Sequence, residues 1–166
     1  MKTALAALRH EITLAIEGTS TEELGSHPEG KWSMAEILEH LNLSYLGTIK
    51  GMSRCLQSGQ TSASSNRWKQ FPKRFGVIAL GYFPPGRKSP ERALPRGMPV
   101  EQVRAEILQN LERLEKAISD CESRFGARKP IVDHPILGPL TATEWQKFHV
   151  VHGKHHLKQI VRLRQR

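Results

Sequence analysis

Apolar residues recur every three or four positions over four separate stretches of the chain, the period of a helix that buries one face. In the first, Leu5, Leu8, Ile12 and Ala15 predict a helix over roughly residues 3–17, ended by Gly18 and the polar run TSTEELGSHPEGK. The second stretch opens at Ser33 with SMAE, a capping box in which Ser33 and Glu36 satisfy each other's backbone N–H. Ile37, Leu41, Tyr45 and Ile49 continue it along one side, and Gly59 is its expected stop. A third begins near Pro99, a favourable first-turn residue, and alternates cleanly from Val100 through Ile107, Leu114 and Cys121 to Phe125. It holds no histidine and reads as core alone. The fourth follows HPILGPL, is capped by Thr141 with Glu144, and can run to about Arg164.

No convincing strand pattern competes with these helices. The segment GVIALGYF, 76–83, is the one candidate, and its irregular flanks argue against a sheet. Residues 59–98 are rich in Ser, Pro, Gly, Lys and Arg and form a connection of unusual length, expected to hold a short helix near 66–80. Four helices with one long crossover in the middle suit a bundle whose second and third helices run parallel. No internal repeat is visible, and the 166 residues are expected to form one domain over 1–166.

Composition narrows the class. With 38% hydrophobic and 25% charged residues the chain reads as globular. No apolar run could span a bilayer, so no membrane partner is expected. The opening MKTALAALRHEITLAIEG is interrupted by Arg9, His10 and Glu11, so it reads as an amphipathic helix of a cytoplasmic protein rather than a signal peptide. Cys55 and Cys121 lie far apart and form no CxxC, which points to two buried reduced thiols rather than a cysteine metal or redox site. The formal charge of +9 gathers in RWKQFPKR, RKSPERALPR and the tail. Either this is a solvated surface or it favours anions, notably a small anionic substrate met by Arg67, Lys69, Lys73 and Arg74. No helix-turn-helix, zinc-finger or RNP-like pattern accompanies it, so nucleic acid is not the expected partner.

The densest chemistry is FHVVHGKHHLKQIV, 148–161, with four histidines in eight positions. On a helix His149, His152 and His156 share a face with Trp145, Ile160 and Leu163, while His155 lies nearer Phe148 and Gln159. His152 and His156 are spaced i, i+4, which aims two rings at one point and makes them the best chelating pair in the chain. His40, on the second predicted helix, can lie at a matching height. Spacing alone leaves two readings open: a His40–His152–His156 metal site, or hydrogen-bonded core histidines. Glu36, one turn before His40, could accept an imidazole N–H or serve only its capping box.

WSMAEILEHL, followed after a long gap by HVVHGKHHLKQI, resembles the DinB-like (YfiT-like) superfamily of four-helix-bundle metalloproteins. The shared pattern is a tryptophan and a small polar residue, then E-x-L-x-H-L, with H-x-x-H-H-x-x-Q in the last helix. The segment from His134 to Ile160 is similar to the poorly characterised DUF1569-type branch of that superfamily. The resemblance implies an all-α, up-down-down-up bundle and a divalent metal ion (zinc, nickel or iron) on His40, His152 and His156. His155 and Gln159 fill motif positions without being expected ligands, and His149 would stand behind the ligands. It further implies frequent homodimers and, as chemistry, a thiol-dependent S-transferase or a hydrolase. The substrate would be a small molecule, with a low-molecular-weight thiol as a possible partner. The alternative is a non-catalytic metal- or small-molecule-binding module.

Overall fold

The computed structural model describes residues 3–64, 71–80 and 89–165. It is mostly helical, with α1 (Ala4–Ile16), α2 (Thr21–Gly25), α3 (Met34–Ser58), α4 (Phe71–Leu80), α5 (Val100–Phe125) and α6 (Ala142–Arg164). A two-stranded sheet, β1 (Pro130–His134) and β2 (Gly138–Thr141), precedes α6.

Local chemistry sets the helix ends. The Ser33 hydroxyl accepts from the Glu36 amide at 3.1 Å, and the Glu36 carboxylate takes the Ser33 amide at 2.8 Å. Thr141 and Glu144 repeat this at the start of α6, at 3.2 and 2.9 Å. Gly59 stops α3 with φ +69°, a left-handed conformation that glycine adopts without a Cβ penalty. The short α2 was not expected, although Ser20 and Glu23 form a third capping box ahead of it. Five residues are too few to show a helical period.

The absence of strands is a second expectation to correct. β1 and β2 pair antiparallel, Val132 opposite Leu140 and His134 opposite Gly138. Strands of five and four residues hold too few alternations to read from sequence. What secures them is burial of Ile131, Leu137 and Leu140 and a bond from the Trp145 indole N–H to the Val132 carbonyl at 3.2 Å. The sequence 76–80 lies in α4, with 81–83 outside the described residues, so this part is helix and not strand. Of the short helix expected near 66–80, the described part is α4.

Side-chain bonds give the helix directions. Asn110 donates to Asn42 at 2.8 Å, and further along the Cys121 thiol faces the Met52 carbonyl, so α3 and α5 run the same way. Arg9 pairs with Glu112 while Arg104 donates to the Ile16 and Thr19 carbonyls, so α1 opposes α5. Arg164 closes the end of α1 by donating to the carbonyls of Leu14, Ala15 and Glu17, which places the C-terminal ends of α1 and α6 together. Leu8, Ile12, Leu41, Ile107, Leu111 and Leu114 fill the centre with no exposure above 1%. Burial of each such side chain is worth roughly 1.5–3 kcal/mol. Gly153 lets α1 come close: a Cβ there would meet Leu8 Cδ2 at 2.5 Å. Cys55 and Cys121 are buried free thiols.

Candidate metal centre

Three histidines from α3 and α6 converge at the inner faces of these helices. One ring nitrogen from each of His40, His152 and His156 lies within 4.8 Å of the other two, close enough to hold a metal ion. His40 Nε2 and His152 Nε2 are 3.1 Å apart, and the His156 ring centroid is 4.7 Å from each of the others. Two nitrogens bound to a tetrahedral zinc at ~2.0–2.1 Å would lie roughly 3.3 Å apart, so the observed spacing fits one ion. The three residues are 2, 7 and 8% exposed.

The outward nitrogens determine what the inward ones can do. His40 Nδ1 lies 2.7 Å from the Ala93 carbonyl, which can only accept, so Nδ1 carries the proton. His156 Nδ1 donates in the same way to Gln159 Oε1 at 2.9 Å. Both rings therefore turn a bare Nε2 lone pair inward. At 3.1 Å a second bare lone pair on His152 would repel that of His40, so a proton or a cation must lie between them.

Electrostatics keep this group neutral. Burial lowers His40, with the Ala93 carbonyl opposing the shift. Burial, reinforced by His40, takes His156 to about 4, and burial with its two neighbours holds His152 well below the usual imidazole range. Uncharged imidazoles are the form that binds metal.

The other residues singled out from sequence take different places. Glu36 spends its carboxylate on Ser33 and on His27, 3.4 Å away, so its role is the cap. His149 is fully buried, its Nε2 bonded to Thr48 Oγ1 at 3.0 Å rather than to an imidazole of the group. His155 receives a bond from Gln159 Nε2 at 3.3 Å, so Gln159 links it to His156. Lys73 is exposed on α4; Arg67, Lys69 and the Arg74 side chain lie outside the described residues.

Two residues near the group were not anticipated. Glu39 is 2% exposed, and its two oxygens accept from the Arg96 and Met98 amides at 2.7 and 3.1 Å. A carboxylate directly beside His40 was the available signal. His134, in β1, accepts the Ile136 and Leu137 amides at Nδ1, so its Nε2 carries the proton. Burial lowers it to about 4. Its ring packs on Phe148 at 4.3 Å, and Phe148 in turn stacks on His152 at 5.2 Å. The Trp32 ring packs on His40, their centroids 5.2 Å apart.

A family model described as a protein of unknown function, DUF1569, matches residues 4–163, and the chain belongs to that family. No curated protein and no solved structure matches the chain.

Proposed function

We propose, with membership of the DUF1569 family as premise, that this is a divalent-metal enzyme of DinB-like type in which His40, His152 and His156 hold one zinc, nickel or iron ion. The observation that carries the reading is the convergence of three buried neutral imidazoles, two of them locked with Nε2 inward. The helix directions support the matching architecture, an up-down-down-up bundle of α1, α3, α5 and α6.

A three-histidine ion with an open position supplies Lewis acidity, lowering the pKa of a thiol or water or polarising a carbonyl. The chain's own residues prepare the place. Ala93 and Gln159 orient the rings, Trp32 and Phe148 shield them from water, and His134 offers one N–H donor beside Phe148. The net charge of +9 suits a small anionic substrate, and the resemblance suggests thiol-dependent S-transfer or hydrolysis.

The low exposure of the three histidines favours one second reading, a non-catalytic metal- or small-molecule-binding module. Elemental analysis of the purified, untagged protein, followed by a screen of low-molecular-weight thiols and hydrolysable esters with metal present, separates the two. About one ion per chain with metal-dependent turnover supports the enzyme. One ion and no turnover supports a metal-binding module, and no retained ion defeats the enzyme and the metal-binding module alike.

A further inference from the structure

The most unusual buried group outside the three histidines is Glu39. A carboxylate taken out of water is costly unless its oxygens are matched by donors. The donors here are two backbone amides of the crossover, Arg96 N to one oxygen and Met98 N to the other. Gly97 stands between them with φ +82°. Such a left-handed residue lets amides two positions apart turn toward the same anion. No ion pair to Glu39 is present among the described residues, so the backbone is its counterpart.

The same segment touches His40. Its single 3-10 turn, Glu91–Ala93, presents the Ala93 carbonyl to His40 Nδ1. Between residues 89 and 99 the chain is SPERALPRGMP, whose three prolines each remove a backbone donor and restrict φ. Leu94 is 38% exposed, so it does little to hold this strap to the core. Adjacent residues of α3 thus grip one strap at two places, His40 at Ala93 and Glu39 at Arg96 and Met98.

We propose that Glu39 is a positioning residue of the metal centre: by binding the Arg96 and Met98 amides it holds the strap so that the Ala93 carbonyl keeps His40 protonated on Nδ1, with Nε2 free to bind the ion. This rests on the metal reading above. Without the carboxylate the strap loses its internal anchor, the Ala93 carbonyl drifts, and His40 samples the tautomer with a proton on Nε2, which cannot bind metal. Partners of ligating histidines act this way elsewhere, and their loss lowers metal affinity by about 10–100-fold.

The experiment measures zinc affinity by competition with a chromophoric chelator, and imidazole ¹⁵N shifts in the metal-free protein, with His40 assigned by its disappearance in His40→Ala. Glu39→Gln turns an amide donor toward one of the two N–H groups. It should weaken zinc about 10–100-fold and mix the His40 tautomers. Gly97→Ala disturbs the same strap without touching α3; a Cβ there would meet nothing within 4 Å, so only the backbone conformation is challenged. It should reproduce both effects, and it carries the test if Glu39→Gln does not fold. Asn110→Ala, which removes a buried bond between α3 and α5, should lower stability while leaving zinc affinity and the His40 signature unchanged. If the folded strap variants keep zinc affinity within about threefold and retain the Nδ1–H signature, Glu39 is only a fastener and the proposal is overturned. Should the wild-type chain bind none of zinc, nickel and iron, the metal reading fails, and the ¹⁵N shifts alone still decide whether Glu39 sets the His40 tautomer.

Discussion

The inner face of α6 carries two kinds of buried histidine less than one turn apart. His152 and His156 meet His40, and the outward bonds of His40 and His156 leave their Nε2 atoms facing the group. His149 is more deeply buried still, yet it is committed the other way. Thr48 gives its hydroxyl proton to the Ser44 carbonyl, so it can only accept from His149 Nε2–H. Tyr45 and Trp145 pack on that ring, and no protein group among the described residues bonds its Nδ1. Burial and helical spacing are alike in the two groups. What differs is what the rings face: His152 and His156 converge with His40 on one point, whereas His149 Nε2 is taken by Thr48.

The sharpest way to break this contrast is alanine substitution on each side. His152→Ala should abolish metal retention after dialysis. His149→Ala should leave about one ion per chain but cost roughly 3–5 kcal/mol in denaturant unfolding, as for other large buried rings. Equal metal occupancy in the two variants would dissolve the distinction.

Acid titration tests both groups at once. His134, His149 and His156 have folded values of about 4, 3 and 4, pressed down by burial, against ~6.5 in the unfolded chain. The unfolded form therefore takes up protons first. Stability from these groups is complete above pH ~6.5 and is lost as pH falls toward ~4 for His134 and His156 and ~3 for His149, by at most about 1.4 kcal/mol per pH unit for each histidine. Saturating zinc should keep protons off His40, His152 and His156 in the folded chain, so their share of the loss should continue to lower pH while that of His149 and His134 is unchanged. A profile below pH ~4 that zinc leaves unchanged would mean that the three do not bind it.

Metal should stabilise the fold without creating it, because the stripe of α5 and the centre around Leu41 and Leu111 are apolar and independent of the histidines. Free zinc at 100 times its dissociation constant should add about 2.7 kcal/mol. A chelator should lower Tm while helical circular dichroism at room temperature persists; collapse of the helical signal would instead mark a structural site.

The smallest effect is expected at Thr48→Val, which leaves a buried His149 donor without its acceptor. The cost should be about 1–3 kcal/mol, with zinc affinity unchanged. A matching fall in zinc affinity would show that the two groups are coupled through α6.

The ends of α3 and α6 were legible because their signals are local. Ser33 with Glu36, Thr141 with Glu144, and Gly59 each act within a turn of the chain. The three histidines were legible for a related reason: an i, i+4 pair on one helix needs one further ring at a compatible height. The hairpin and α2 escaped because periodicity needs more residues than they contain. Glu39 escaped because a buried carboxylate acquires meaning only from its partner.

By itself, then, the sequence determined where the long helices begin and which histidines can share a face, since both follow from contacts a few residues apart. Only the tertiary structure decided which nitrogen carries the proton on His40 and His149. His40 takes its tautomer from Ala93, 53 residues away, and His149 takes its own from Thr48, 101 residues away. Glu39 reaches Arg96 across 57 residues, and Gly153 owes its place to Leu8 on another helix. A proton's position on an imidazole depends on whether a donor or an acceptor faces it. That is fixed by distant backbone and side chains brought together when the helices pack.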